Sequence, residues 1–353
     1  MLTARGVLRT ISQWGAAAAA GALADAAEVP LAWVLGPLVI TAVFSIAGST
    51  PYAPVQARRL GQIIVGTVIG LNMTTEAAAS LLVWLPVMVL TAIVSMLLAA
   101  AISGIVARGA GIDGCSAYFA LLPGGLTEMA NVGSRLGARS EAISLVHALR
   151  VALTVMIVPW AVVMMDTQAD IGLRGGPRVV LDLPIVVLLA AAAVIGTLVL
   201  RKVRFSNPWM LGALAAVGVM AGSGLVEGQL PAPLLWLGQF FIGMAVGARF
   251  KRDIMRRLPR LALVSSLAIL FMALVMAGYA LAIKSLGASD LESLILAVSS
   301  GGFAEMTLTA QMLHLDVALV TGFHFVRAFA VNSLAAPLWC WLIKLGWLRG
   351  SQH

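Results

Sequence analysis

The chain has few charged residues and few cysteines, and these scarcities exclude several classes of protein. Only 11% of its 353 residues are charged, whereas 61% are hydrophobic, a balance that ordinary soluble domains do not show. The two cysteines, Cys115 and Cys340, lie in apolar surroundings, so the sequence offers neither a disulfide framework nor a metal cluster. Long polar stretches are also missing, because the longest polar connections, near 166–180 and 249–260, are too short for a separate soluble domain.

Apolar sequence is what the chain has in abundance. Twelve apolar segments lie near 10–27, 31–48, 58–73, 79–107, 112–135, 141–165, 183–200, 207–225, 233–248, 261–284, 290–313 and 317–345. They predict an all-α polytopic membrane protein. The arginines and alanines at the start of the chain could resemble a signal peptide, but we expect this stretch to be retained as the first helix.

One pattern occurs twice: two glycines, then a glutamate, then a His-x-x-Arg. Its first copy comprises Pro123, Gly124, Gly125, Thr127, Glu128, His147 and Arg150, and its second comprises Ser300, Gly301, Gly302, Glu305, His324 and Arg327. Equivalent residues such as Gly124 and Gly301 differ by 177 in residue number, and we call this difference the repeat offset. The same offset relates Gln62 to Gln239. Such a recurrence indicates an internal duplication, with repeats at 1–180 and 181–353.

The distribution of Lys and Arg decides between two topologies. If all twelve segments crossed the membrane, the loops would place 10 basic residues inside and 11 outside, which is no bias. If 112–135 and 290–313 are instead re-entrant hairpins, the tally becomes 18 inside against 3 outside. The sequence therefore predicts about 10 transmembrane helices as two inverted 5-helix repeats, each with a re-entrant Gly-Gly hairpin, and cytoplasmic N- and C-termini.

The hairpin tips are the predicted site. We expect the Gly-Gly tips to meet near the bilayer midplane, because glycine permits a tight reversal and irregular backbone at that depth must face protein or a cavity. Each motif glutamate either caps its own half-helix or lines the site, where it could exchange protons or coordinate a cation. A buried arginine needs a partner, and the motif glutamate is the obvious one, so a structural ion pair competes with a functional role. The histidines are either satisfied core residues or proton carriers.

Three further polar residues belong to this prediction. Gln62 and Gln239 recur beside glycines and either line the cavity or bridge helices. Thr127 corresponds to Ala304 in the second repeat, so any polar contact that it makes is asymmetric.

These motifs carry a resemblance to a known family. The paired Gly-Gly-x-x-Glu-Met motifs, each followed by His-x-x-Arg, resemble the AbrB family of bacterial inner-membrane proteins across nearly the whole chain. That family is distinct from the soluble transcription regulator of the same name, and its members have been labelled both ammonia monooxygenases and transport proteins. The architecture is also similar to citrate- and glutamate-type carriers with inverted repeats and re-entrant hairpins, which implies an elevator mechanism.

The oxygenase label can be tested on the histidines. A copper or iron site needs several converging His or carboxylate ligands. The chain has four histidines, of which only His147 and His324 could meet, and it contains no His-x-x-x-His or Glu-x-x-His element. We therefore expect no enzyme activity, no cofactor and no metal.

The sequence favours a secondary active transporter that moves a small polar solute across the bacterial inner membrane by alternating access, coupled to protons or a cation. Two arginines and two tips with free N–H groups favour an anionic or carboxylate-bearing solute. A channel-like pore and a membrane-bound redox enzyme are the alternatives. The expected partners are the lipid bilayer, the solute and its coupling ion, with no nucleic acid; a homodimer is left open.

Overall fold

The computed structural model describes residues 4–49, 51–165, 179–203, 205, 207–250, 252–285 and 290–346. Within these residues the regular structure is helical, apart from an isolated parallel bridge between Val180 and Gln229. The helices are α1 (Ala4–Ala26), α2 (Ala32–Ile46), α3 (Val55–Gly70), α4 (Thr75–Ala110), α5 (Gly114–Leu121), α6 (Leu126–Arg135), α7 (Ser140–Met165), α8 (Leu183–Lys202), α9 (Pro208–Gly222), α10 (Ala232–Gly247), α11 (Arg252–Arg257), α12 (Pro259–Lys284), α13 (Leu291–Val298), α14 (Phe303–Met312) and α15 (Val317–Lys344).

Several of these helices are long and apolar enough to cross a membrane. Among the described residues, five qualify by length and composition: Ala79–Ala110 within α4, and α7, α8, α12 and α15. Helices α2, α9 and α10 are apolar but shorter. Leucine, valine and alanine dominate these segments, and helices satisfy their own backbone polar groups in lipid. The prediction of a polytopic helical membrane protein is therefore confirmed at this level.

The helix bounds recur along the chain. Helices α3 and α10 begin and end at positions separated by the repeat offset, and the same offset relates α5 to α13 and α6 to α14. Each predicted hairpin segment thus consists of an 8-residue helix, a break, and a 10-residue helix. The breaks fall at the two Gly-Gly motifs.

The described residues form two compact units, which draw on both repeats. Unit 1 comprises Met1–Leu82, Pro159–Lys251 and Ala304–Leu319. Unit 2 comprises Val83–Val158, Arg252–Phe303 and Val320–His353.

Glycines bring the helices of unit 1 into close contact. A Cβ added at Gly66 of α3 would overlap the carbonyl oxygen of Met210 in α9, and one added at Gly243 of α10 would overlap the carbonyl oxygen of Val34 in α2. In membranes, where apolar surfaces gain little by leaving lipid, helices associate through such close small-residue packing. A larger residue at either position would therefore force the two helices apart.

Aromatic side chains of the first half-helix pack against α15 within unit 2. The hydroxyl of Tyr118 in α5 donates to the carbonyl oxygen of Ala335 in α15 at 3.0 Å. The Tyr118 ring also packs on Trp339, with centroids 5.2 Å apart, and Phe119 contacts the same indole. Residues 115–121 are all buried, so α5 is held inside the unit.

Candidate functional site

Each half-helix that precedes a break has an aspartate at its N-terminus. Asp113 accepts a hydrogen bond from the backbone N–H of Ser116 at 2.7 Å, and Asp290 accepts one from that of Ser293 at 3.0 Å. These carboxylates satisfy N–H groups that the helix leaves open and complement the positive end of its dipole. The repeat offset also separates Asp113 from Asp290, a signal that the sequence contained and that our prediction of site residues did not use.

A histidine and an arginine of α7 hold the other end of α5. Arg150 donates from Nη1 to the carbonyl oxygen of Leu122 at 2.6 Å and from Nη2 to that of Gly124 at 3.1 Å. His147 Nε2 lies 3.2 Å from the carbonyl oxygen of Phe119. A broken helix exposes carbonyl oxygens and a negative dipole end at this point, and a cation satisfies both. We call His147 and Arg150 the first clamp.

The second clamp, His324 and Arg327 of α15, repeats this arrangement at α13. Arg327 donates from Nη1 to the carbonyl oxygen of Ser299 and from Nη2 to that of Gly301, the latter at 3.4 Å. His324 Nε2 lies 3.0 Å from the carbonyl oxygen of Leu296. Every one of these contacts is a contact of the first clamp displaced by the repeat offset, so the duplicated motif builds the same local structure twice.

The structure shows which groups the two clamp arginines bind, a question that the sequence left open. A motif glutamate was the expected partner, whereas the structure assigns each guanidinium main-chain carbonyl oxygens. The physical reason is that a helix broken in a low-dielectric interior has carbonyl groups that no water reaches, and a planar guanidinium can satisfy two of them at once.

The clamps also determine the protonation of their histidines. Arg150 Nη2 lies 3.3 Å from Nδ1 of His147, and Arg327 Nη2 lies 2.7 Å from Nδ1 of His324. Because arginine can only donate, each Nδ1 must accept, and the ring proton must be on Nε2, which donates to a carbonyl oxygen. Both imidazoles are therefore neutral, and a second proton would turn an Nδ1 acceptor into a donor facing a guanidinium.

Part of each guanidinium is left without a partner. The Nε–H groups of Arg150 and Arg327 are buried and have no hydrogen-bond acceptor among the described residues, and the same holds for the hydroxyl of Ser300. The three side chains are 4%, 4% and 3% exposed. The two clamps lie near each other within unit 2, because Gly124, whose carbonyl oxygen Arg150 binds, lies against Val331, one turn of α15 beyond Arg327.

At the first Gly-Gly break, Gly124 is limited by space, and Gly125 has an ordinary backbone conformation. Gly125 has φ −69°, which any residue adopts, although the sequence had suggested that glycine permits a tight reversal there. A Cβ on Gly124 would lie 2.8 Å from Cγ1 of Val331, and one on Gly125 would overlap the carboxylate of Glu128. Glu128 therefore folds back over the start of its own helix, as a capping glutamate does. Pro123 is buried at this break, and Thr127 is exposed.

The second motif glutamate has a different environment. Glu305 is buried in unit 1, where it is attracted to Arg249, a residue that follows α10 and that the sequence prediction did not include. Burial and the nearby cation of Arg58 lower the pKa of Arg249, and the attraction of Glu305 opposes this effect. On the same helix, Gln311 accepts a hydrogen bond from Asn72 at 2.6 Å.

The recurring glutamines also differ. Gln62 donates to Oδ1 of Asn207 at 3.1 Å, and so bridges α3 to the N-terminus of α9. Gln239 is buried, and neither of its amide atoms has a partner among the described residues. The position equivalent to Asn207 in the first repeat is Leu31, which offers no side-chain acceptor. Loss of that one polar residue explains why the second bridge is not formed.

The predicted site residues thus fall into two groups. Unit 2 brings together both breaks with Ser300, Gly301 and Gly302, the half-exposed Glu128 and the two clamps, whereas Glu305, Gln62 and Gln239 belong to unit 1. In the part of the chain that the structure describes, no three His, Cys, Asp or Glu side chains are grouped as metal ligands.

Comparison with known proteins places these features in a family. A family model described as "Transition state regulatory protein AbrB" matches residues 33–343. The chain is 25% identical over 346 residues to the "Uncharacterized protein YhjN" of Bacillus subtilis (strain 168), covering 91% of this chain and 90% of that protein. It is 26% identical over 335 residues to the "Putative regulator AbrB" of Escherichia coli (strain K12), covering 91% and 94%. The duplicated motifs and both clamps lie inside the matched region, and the chain belongs to the AbrB family.

Proposed function

We propose that the protein is a secondary active transporter that moves a small polar solute across the bacterial inner membrane by alternating access. The observation that carries this proposal is the pair of equivalent clamps, each holding a broken helix beside a buried, incompletely satisfied arginine. Broken helices and buried ionisable residues inside an apolar bundle are typical of solute pathways. We assign the solute-carrying role to unit 2, which contains both clamps, and a scaffold role to unit 1, as in elevator carriers.

Reciprocal contacts in unit 1 support two repeats related by a pseudo-twofold axis. Gly66 of the first repeat approaches Met210 of the second, and Gly243 of the second approaches Val34 of the first. The residues of these contacts are equivalent, since Gly66 and Gly243 differ by 177 in residue number and Val34 and Met210 by 176. An exchange of this kind is the signature of a twofold relation. With the axis in the membrane plane, the repeats have inverted topology.

Two equivalent tryptophans of unit 1 have different neighbours, and this difference supports the proposal of inversion. Trp209 lies between two cations, with Cζ of Arg59 at 4.6 Å and Cζ of Arg201 at 4.9 Å from its ring centroid. Its equivalent, Trp33, stacks instead on Trp236, with centroids 5.5 Å apart. Trp236 is the equivalent of Arg59. Equivalent positions that are basic in one repeat and aromatic in the other fit a cytoplasmic face for Arg59 and the opposite face for Trp236.

Equivalent cysteines test the inversion directly. Val55 and Ala232 are the exposed first residues of α3 and α10 and are separated by the repeat offset. In a variant without Cys115 and Cys340, we expect Val55→Cys to resist an impermeant maleimide applied from outside and Ala232→Cys to react. Labelling of both, or of neither in intact cells and both after lysis, would refute inversion. Lys251, a cytoplasmic position in the charge tally, lies outside the described residues.

For the coupling step we propose Glu305. The clamp histidines use both ring nitrogens, so a change in their protonation would cost the arginine contacts. Glu128 folds over its own helix start, a role that glutamine can also fill. Glu305 is buried and attracted to Arg249, so its protonation changes a local charge balance in unit 1. A proton carrier of this kind links solute movement to the pH gradient.

Uptake into proteoliposomes tests the function and the coupling together. We expect the wild-type protein to accumulate radiolabelled succinate when an inward proton gradient is imposed. Glu305→Gln should retain succinate counterflow but lose the gradient-driven accumulation, whereas the equivalent change Glu128→Gln should keep both. Gradient-driven accumulation by Glu305→Gln would exclude Glu305 as the carrier. Absence of both uptake and counterflow for succinate, phosphate and neutral solutes in the wild type would exclude a transporter.

A further inference from the structure

Unit 2 contains a set of buried hydrogen-bond donors that lack acceptors. Arg150 and Arg327 use their Nη atoms to hold the two breaks, and their Nε–H groups have no acceptor in the described structure. The Ser300 hydroxyl, which lies at the second break between the carbonyl groups that Arg327 binds, is in the same state. A buried polar group without a partner costs about 1–3 kcal/mol, so such groups ordinarily meet water or a ligand.

This region also contains two buried cations, the guanidinium groups of Arg150 and Arg327. The two guanidinium groups belong to neighbouring clamps, because Gly124, which Arg150 binds, lies against Val331, one turn of α15 beyond Arg327. Their histidine neighbours are neutral because Nδ1 accepts from arginine in both clamps. Asp113 and Asp290 cap the opposite ends of the half-helices, where they bind backbone N–H groups. Glu128 folds back over the start of α6. Among the described residues of unit 2, the clamp hydrogen bonds of the two guanidinium groups go to main-chain carbonyl oxygens and neutral imidazoles, which do not neutralise their charge.

We propose that unit 2 binds a divalent oxyanion through Nε of Arg150, Nε of Arg327 and the hydroxyl of Ser300. The proposal rests on the function given above, since the oxyanion is the transported solute. A dicarboxylate and a phosphate share the required chemistry: oxygen acceptors that take charge-assisted hydrogen bonds, and two negative charges that match two guanidinium groups. A neutral or cationic solute would leave the donors unpaired and the cations repelling each other.

The clamps fix the orientation of the two guanidinium groups before the oxyanion binds. Because the Nη atoms are bound to carbonyl oxygens of the breaks, the guanidinium planes are held in one orientation, and little side-chain entropy is lost on binding. The same carbonyl contacts couple occupancy to the breaks, because an oxyanion that draws on Arg327 acts on the group that holds Ser299 and Gly301. Solute binding thereby adjusts the backbone of the broken helix.

Calorimetric titration and thermal melting of the purified full-length protein at pH 8 test the charge requirement. The probes are succinate, its neutral isostere succinamide, inorganic phosphate and acetate. We expect succinate or phosphate to bind and raise the melting temperature, acetate to bind at least tenfold more weakly, and succinamide not to bind. Equal binding of acetate or succinamide, or no binding of either dianion, would overturn the proposal.

Two buried serines of unit 2 provide a matched pair of variants. Ser300→Ala removes an unpartnered hydroxyl, and we expect it to weaken dianion binding roughly tenfold, the usual effect of one hydrogen bond to a charged group. Ser95→Ala removes a buried hydroxyl of α4 that donates to the carbonyl oxygen of Ala92 at 2.8 Å, and it should leave the affinity unchanged. Equal affinities for Ser300→Ala and the wild type, or equal losses in both variants, would remove Ser300 from the site.

Transport measurements distinguish failure of this inference from failure of the proposed function. If dianions bind as expected but show no counterflow in proteoliposomes, the oxyanion site stands and the transporter assignment fails. If a neutral or cationic solute undergoes counterflow while no dianion binds, the transporter assignment stands and the oxyanion site is wrong.

Discussion

The Arg150→Met variant should unfold at a markedly lower temperature than the wild type and should not transport. Methionine leaves the carbonyl oxygen of Gly124 without a donor, at a cost of about 1–3 kcal/mol, and leaves that of Leu122 with only the backbone N–H of Gly124. Removing a buried guanidinium also ends its desolvation cost, which offsets part of the loss. We therefore expect a net loss of about 1–3 kcal/mol in the free energy of unfolding. Arg327→Met should cost a similar amount, because the second clamp repeats the first.

Two further variants control this experiment. Arg150→Lys keeps the charge but has no planar fork that spans two carbonyl groups, so we expect an intermediate stability. Thr154→Val, one turn further along α7, removes a buried hydroxyl that donates to its own helix at 2.7 Å, and should cost less than about 1 kcal/mol. Melting of detergent-solubilised protein measures all of them. A melting temperature of Arg150→Met equal to that of Thr154→Val would show that the clamp does not hold the break.

Alanine at the crossing glycines of unit 1 should be strongly destabilising. At Gly66 and Gly243 the added Cβ would overlap a carbonyl oxygen of the neighbouring helix, so two helices must move apart. Forced overpacking of this kind costs about 1–3 kcal/mol, and more where backbone cannot shift. Since the two contacts are equivalent, we expect losses of similar size for Gly66→Ala and Gly243→Ala.

The chain offers matched glycines for comparison. Gly104 in α4 and Gly278 in α12 have nothing within 4 Å of an added Cβ. Alanine there should be neutral or stabilising by up to about 1 kcal/mol, because glycine is the weaker helix former. Thermal melting of the four variants distinguishes the effect of helix–helix packing from that of helix propensity. Similar melting temperatures for Gly66→Ala and Gly104→Ala would contradict the close crossing.

The sequence alone was sufficient for the class of protein and for the position of its breaks. Hydropathy along the chain predicted the apolar helices, since a residue in lipid is selected for the solvent that it meets. The recurrence of the motif at a fixed offset predicted that whatever forms around His147 and Arg150 forms again around His324 and Arg327. The apolar helices and the repeated motif are both local properties of the chain, so they can be predicted from hydropathy and from residue spacing.

Only the tertiary structure decided what those residues contact. Spacing placed Glu128 and Arg150 in one motif. The guanidinium of Arg150 instead binds carbonyl oxygens at the end of a half-helix. Every residue has a main-chain carbonyl group, so the sequence cannot show which of them is the acceptor. The same holds for the histidine tautomers, which follow from a contact with arginine Nη2.

The two repeats also diverge at positions that are equivalent in sequence. Gln62 finds Asn207, while Gln239 finds no acceptor among the described residues, because a leucine occupies the matching position. Glu305 is buried near Arg249, whereas Glu128 folds over Gly125. A duplicated motif predicts equal local structure, because local structure depends on neighbours in the chain. Its surroundings come from distant segments, which differ between the two repeats, so only the folded chain determines them.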